Sequence, residues 1–342
     1  WKYLPLSYLL RGTSGNIDMQ KAFISKKNPF GEDPSCGEKF SLTYLSPKYW
    51  LIWIFISLTL PIAYLPSKTR SYLGTTLGKL LFKFSKSKKE IAKINLSKTF
   101  KNLDETGIQN QSKLFFKYLG HMYINLPLLW WRSDRYLQKL IDKNGLHLID
   151  QILEKNQSVI LLAPHTLSLD FGGRALSAFN LLSIYKPFKN NLMNWFIGKS
   201  RSKPTDKVIV YPRTNNSFKQ IIKKMRQPSV LYLLADEDIS LDDSVFTKFF
   251  DTQKATLKSI SKLARLTKSK VLPCTCTYDI RTNNFLFKVF PELDNFPSKN
   301  IVDDCSKINE CLQQQILSDI PQYMWTLRIY KHRPDGTDIY KI

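Results

Sequence analysis

From residue 145 onward the apolar positions switch repeatedly between two spacings. Short β-type runs cover Ser158–Ala163, Leu181–Lys186, Lys207–Tyr211, Ser229–Ala235, Lys270–Tyr278 and Phe285–Phe290. Helical spacing fills 145–155, 169–179, 190–201, 215–226, 253–268 and 303–319. Strand and helix alternating at this length predict an α/β fold, a layered mixed sheet flanked by helices. Upstream, Leu114, Phe115, Tyr118, Leu119, Met122 and Leu126 recur at helical steps, so 105–143 reads as helices with a core-facing stripe. No internal repeat is visible. Neither a Gly-x-Gly-x-x-Gly turn nor a P-loop occurs, which disfavours nucleotide chemistry.

The N-terminal third has a different pattern. Tyr49 to Ser67 contains no charged residue. That is near the lower limit for a membrane-spanning helix of about 20 residues. Pro61 should kink it, and Trp50, Trp53 and Tyr64 suit a membrane interface. Lys68, Arg70, Lys79, Lys83 and Lys86 follow it, against Lys39 and Lys48 before it, so the positive-inside rule places the downstream residues in the cytoplasm. Three parts are expected: a poorly ordered extension over 1–38, a membrane anchor helix over 40–66, spanning or lying in one leaflet, and a cytoplasmic catalytic domain over 67–342. A buried core helix is the other reading of the apolar run.

Composition adds one strong fact. The 342 residues carry a formal net charge of +23. Such a surface fits an acidic partner: nucleic acid, anionic lipid or an acidic carrier protein. No helix-turn-helix, RNP or zinc-finger signature supports nucleic acid. Residues 67–101 hold many Lys and one acid, Glu90, and read as a juxtamembrane patch on anionic lipid. Lys254, Lys258, Lys262 and Arg265 fall at four- and three-residue steps, which on a helix make one basic docking stripe. Five scattered Cys without metal spacing read as reduced thiols, with Cys274 and Cys276 in the core.

The candidate chemistry lies at strand ends. His165 follows the first β-type run directly, and Asp170 comes five residues later. A His at the carboxyl end of a strand can take a proton from an alcohol, and a carboxylate can fix its tautomer. At about 100° per residue, helix positions five apart point roughly 140° apart. The pair can meet only if His165 lies in the turn before the helix that carries Asp170. Arg213 also follows a strand and could bind phosphate or an oxyanion, with a surface ion pair as the alternative. Asp236 and Asp238 end another strand, where a cation site competes with turn capping.

Seven blocks then occur in order: Leu45-Ser-Pro-Lys-Tyr-Trp50, Ile94-Asn-Leu-Ser-Lys-Thr-Phe100, Leu129-Trp-Trp131 with Asn144-Gly-Leu-His147, Leu162-Ala-Pro-His165 through Asp170, Tyr211-Pro-Arg213, Ser244–Phe250 with Lys254-Ala-Thr-Leu257, and Gln322-Tyr-Met-Trp325 through Pro334. From about Phe40 to Tyr340 the chain resembles the late (lauroyl/myristoyl) lipid A acyltransferases, which are lysophospholipid acyltransferase-like. The resemblance implies a glycerolipid acyltransferase-like fold. It implies an acyl-acyl carrier protein donor and a hydroxyacyl group of a lipid A precursor as acceptor. His165 would be the general base and Asp170 its orienting group. Arg174, Lys186, Arg201, Arg213, Asp236 and Asp238 would bind substrate, and the basic stripe would dock the carrier.

No metal or cofactor is implied. The expected place is the cytoplasmic face of a bacterial inner membrane, with anionic lipids as neighbours and no nucleic acid. The chain departs from the family pattern at Asp170 (often Glu), Lys186 (often Arg), Glu237 (usually Gln) and the tail Arg328-Ile-Tyr-Lys331. These departures leave the acceptor and the acyl length open. A lysophospholipid or another glycolipid is the alternative acceptor. A membrane-bound basic lipid- or nucleic-acid-binding protein is the more distant alternative.

Overall fold

The computed structural model describes residues 40–203 and 207–341. The extension over 1–38 lies outside the described residues. Two short 3-10 turns lead into α1 (Trp50–Tyr64), α2 (Ser67–Phe84), α3 (Lys86–Thr99) and α4 (Glu105–Trp131). The chain then enters α5 (Asp134–Leu140), β1 (Ile141–Asn144), α6 (Leu146–Leu153), β2 (Val159–Ala163), α7 (Leu169–Ala175), β3 (Leu181–Tyr185), α8 (Asn191–Ser202), β4 (Val208–Pro212), α9 (Asn215–Lys224) and β5 (Val230–Leu234). A hairpin of β6 (Ser244–Phe249) and β7 (Thr252–Leu257) follows, then α10 (Ser259–Thr267), β8 (Lys270–Asp279), β9 (Asn284–Val289) and α11 (Ile301–Ser318).

Seven strands make one sheet in the order β1-β9-β8-β2-β5-β3-β4. β8, β2, β5, β3 and β4 run parallel, while β9 and β1 run against them. This is the expected mixed α/β sheet. β2 is central and every residue of Val159–Ala163 is buried, as a strand covered on both faces must be. The six strands and helices expected after residue 145 are present, except that the helix expected over 253–268 begins only at Ser259. Thr252–Leu257 is a strand instead. Cys274, Cys276, Cys305 and Cys311 are free and buried.

The apolar run after Tyr49 forms a helix of 15 residues. At 1.5 Å per residue it reaches roughly 22 Å, short of a hydrocarbon core of about 30 Å. Among the described residues no helix is long and apolar enough to cross a membrane, so a spanning anchor is not supported. Leu65 is extended before Pro66, which ends the helix. Ile56 and Ala63 are buried, while Leu51, Ile54 and Leu58, at three- and four-residue steps, are exposed. Arg70, counted among the flanking cations, turns inward to Asn125 and the Leu65 carbonyl. α2 packs closely on α4 through glycines. A Cβ on Gly120 would lie 2.3 Å from the Gly74 carbonyl oxygen, so only glycine permits this backbone approach.

Candidate functional site

The strand register assembles the site. Parallel pairing of β2 with β5 sets Ala163 opposite Leu234. Two residues further along both chains, that register brings His165 level with Asp236, just past the carboxyl ends of the strands. The His165 N–H donates to Asp236 Oδ2 at 2.8 Å, and His165 Nδ1 bonds to Asp236 Oδ1. A carboxylate on Nδ1 leaves Nε2 as the reactive nitrogen. His165 is 8% exposed and Asp236 0%. Burial opposes charging of the ring, but the Asp236 carboxylate, its hydrogen bond and Glu237 outweigh it, so the His165 pKa is raised. Burial pushes Asp236 up, but His165 pulls harder and its pKa is lowered.

The C-terminal segment holds the His165 loop from the other side. The Met324 N–H donates to the His165 carbonyl at 2.8 Å, and the Leu167 N–H donates to the Gln322 carbonyl at 2.8 Å. Gln322 is fixed by two hydrogen bonds to the Tyr278 backbone, at 2.7 and 3.0 Å. Asn95 donates to the carbonyls of Trp325 and Leu327 at 2.7 and 2.6 Å. The blocks around Asn95 and Gln322–Trp325 therefore meet in space and position the histidine.

Asp170 does not orient His165. The first half of that expectation holds, because His165 precedes the helix α7 that begins at Leu169. The carboxylate, however, takes Arg201, with Nε at 2.9 Å from Oδ1 and Nη2 at 3.3 Å from Oδ2. A guanidinium offers a carboxylate two parallel N–H donors, a better fit than one imidazole nitrogen. Asp236, expected as a substrate ligand, is the residue on the histidine.

The other candidates divide. Arg213 stands at the mouth of the site and donates to Glu237 Oε2 at 2.7 Å. Glu237 Oε1 lies 3.6 Å from His165 Nε2. Lys186 is exposed beyond β3. Burial lowers its pKa, Glu237 opposes that, and the neighbouring cations Arg213, Lys189 and Lys331 add to it. Asp238 binds the His332 N–H at 2.7 Å and its Nδ1 at 2.5 Å. Arg174 is 4% exposed and is spent on the carbonyls of Ser200 and Leu129 and on Asp134. That is structural cross-linking rather than the expected substrate contact.

The basic stripe is broken. Lys254 is 0% exposed because it points inward from β7, so it cannot dock a carrier. Its Nζ has no hydrogen-bond partner and lies 5.5 Å from the Phe249 ring centroid. Burial lowers its pKa, against the pull of Asp236, Asp238 and Glu237. Lys258 caps α10 and donates to the Asp242 carbonyl at 2.8 Å. Lys262 and Arg265 remain exposed, with Arg265 3.8 Å from Asp304.

Sequence reasoning missed His332 and the contact of Glu237 with the histidine. The signal available for Glu237 was its place between two aspartates at a strand end.

The family profile described as bacterial lipid A biosynthesis acyltransferase matches residues 38–332. A lipid A biosynthesis acyltransferase of Haemophilus influenzae is 29% identical over 307 residues, covering 88% of this chain and 94% of its own. A lipid A biosynthesis palmitoleoyltransferase of Escherichia coli is 25% identical over 305 residues, covering 89% and 97%. Among solved structures, a 1-acyl-sn-glycerophosphate acyltransferase from Thermotoga maritima aligns with a TM-score of 0.34 at 14% identity, covering 74% of this chain and 98% of that one.

Proposed function

Since the chain belongs to the bacterial lipid A biosynthesis acyltransferase family and is an acyltransferase of lipid A biosynthesis, we propose that it moves a fatty acyl chain from an acyl-acyl carrier protein to a hydroxyacyl group of a lipid A precursor. The observation that carries this reading is the buried His165, clamped through Nδ1 by Asp236 at the carboxyl end of β2. His165 Nε2 takes the proton of the acceptor hydroxyl. The oxygen attacks the thioester carbonyl carbon, the C–S bond breaks, and the imidazolium returns the proton to the departing thiolate. Asp236 replaces Asp170 as the group that holds the ring and balances its transient charge. Arg213 and Lys186 supply cations at the mouth for anionic parts of the substrates.

The proposed location of the reaction is the cytoplasmic face of an inner membrane. The support is the exposed stripe of Leu51, Ile54 and Leu58, with Lys68, Lys79, Lys83 and Lys86 exposed on the two helices that follow. An exposed apolar stripe, followed along the chain by exposed lysines, fits a helix lying in an anionic interface. Lys262 and Arg265 remain as candidate contacts for an acidic carrier.

The test is direct. Purified protein is incubated with acyl-acyl carrier protein and a hydroxyacylated, phosphorylated glucosamine disaccharide, and products are read by mass spectrometry. One added acyl mass on the disaccharide is expected. Acylation of a lysophospholipid with none on the disaccharide would overturn the acceptor assignment.

A further inference from the structure

We propose that Glu237 is a specificity-determining residue, which through Arg213 blocks the reactive nitrogen of His165 until a phosphate ester on a substrate takes Arg213 over. The inference rests on His165 being the base, as assigned above.

Glu237 bridges two groups. One oxygen is 3.6 Å from His165 Nε2 and the other is 2.7 Å from the Arg213 guanidinium. His165 therefore has a carboxylate beside each ring nitrogen, Asp236 on Nδ1 and Glu237 near Nε2. Two carboxylates favour the doubly protonated ring, which cannot accept another proton. Glu237 also stands where an acceptor hydroxyl must come to reach Nε2. The resting arrangement is thus the wrong one for a base on two counts, protonation and access.

The way out lies in Arg213. Its side chain is 33% exposed, and Glu237 is 27% exposed. Neither is locked in the core. Lys186 stands close enough to feel the charges of Glu237, Arg213 and Lys331. A phosphate ester arriving among these cations offers Arg213 a bidentate anionic partner in place of the carboxylate. Glu237 then loses its partner and is repelled by the newcomer. It turns to solvent, Nε2 is uncovered, and the ring gives up its extra proton to water. Phosphate binds only the open arrangement, so it shifts the population toward it. A substrate without phosphate in the right place leaves the base closed.

The phosphate can belong to the donor's pantetheine arm or to the acceptor, and the experiment separates these sources. Full-length wild type and Glu237→Gln are assayed with acyl-phosphopantetheine or acyl-pantetheine as donor. Each donor is paired with the phosphorylated or the dephosphorylated hydroxyacyl disaccharide. Wild type should lose about tenfold in kcat when the operative phosphate is removed, and which substrate shows the loss identifies the source. Glu237→Gln, which keeps a side chain able to bond Arg213, should lose less than about twofold. On the phosphate-free pair its acid limb in kcat/KM should lie at lower pH than wild type. Of the groups facing the ring (Asp236 and Glu237 against Arg213), one anion has gone.

A wild type indifferent to both phosphates, a phosphate effect confined to KM, or a variant that keeps the full loss in kcat overturns the latch. Failure of wild type to transfer an acyl group from acyl-acyl carrier protein to the phosphorylated disaccharide, run alongside the four pairs, would instead sink the reaction itself, and the latch with it.

Discussion

One segment, Asp236-Glu-Asp238, holds two histidines in the same way. Asp236 takes the backbone N–H and Nδ1 of His165, and Asp238 takes the backbone N–H and Nδ1 of His332. The surroundings differ. His165 leaves the central strand of the sheet, lies in the core, and has its second nitrogen facing Glu237. His332 belongs to the C-terminal segment, and its ring is half-buried at the edge. Residues two apart in extended backbone point the same way and sit roughly 7 Å apart, so the two clamps are side by side. The same hydrogen bonds serve chemistry at one position and attachment of the tail at the other. Position in the sheet, not the pair itself, separates the two roles.

The separation can be broken most sharply at the rings. His165→Ala should lower kcat about 10²–10⁴-fold with the fold retained, whereas His332→Ala should cost less than about tenfold and lower Tm by a few degrees. Equal losses in a paired kinetic and melting comparison would abolish the distinction. The carboxylates come next. Asp236→Asn should cost about 10²-fold in kcat, and Asp170→Asn, whose partner is Arg201, about tenfold or less. The reverse order would return the orienting role to Asp170.

The pH profile sharpens the buried clamp alone. Burial alone would lower the His165 pKa, but Asp236 and Glu237 raise it above the ordinary value. Activity requires the neutral ring, so the acid limb of kcat/KM should lie above about pH 6.5. The stability contribution of charged His165 is present below its unfolded value and lost as pH rises through the folded one. That of Asp236 is present above its unfolded value and lost as pH falls through the folded one. A limb below about 6.5 would show that the carboxylates do not govern the ring.

The smallest effect is expected at the surface. Lys262→Glu with Arg265→Glu should raise KM for acyl-acyl carrier protein a few-fold and leave an acyl-pantetheine donor unchanged, with added salt doing the same. Equal shifts for both donors would exclude carrier docking there.

Much of this was legible beforehand. The alternation after residue 145 reported the sheet because period two and period 3.6 are local properties of the chain. The strand-end position of His165 was legible for the same reason. Its partner was not. Asp170 is visible five residues away, whereas Asp236 becomes a neighbour only when β5 lies beside β2, and strand order is not written in local spacing. The hairpin failed differently. Lys254, Lys258 and Lys262 at four-residue steps suggested a helix, yet Thr252–Leu257 pairs with Ser244–Phe249 and turns Lys254 inward. The uncharged run after Tyr49 overstated its helix, which Leu65-Pro66 cuts short.

The strap of Gln322–Trp325 across the His165 loop sets an order of events. Every strand of the sheet has been made once Val289 is in place. The groups that fix His165 from the far side, and the histidine that occupies Asp238, come only afterwards. At about 5–20 residues per second, a ribosome needs a few further seconds to deliver them. During that interval the nascent chain carries all its strands and its base residue but lacks the backbone contacts that hold the base in place. A chain ending within α11 would carry every strand of the sheet and the base residue, but none of the backbone contacts through which Gln322 and Met324 hold the His165 loop.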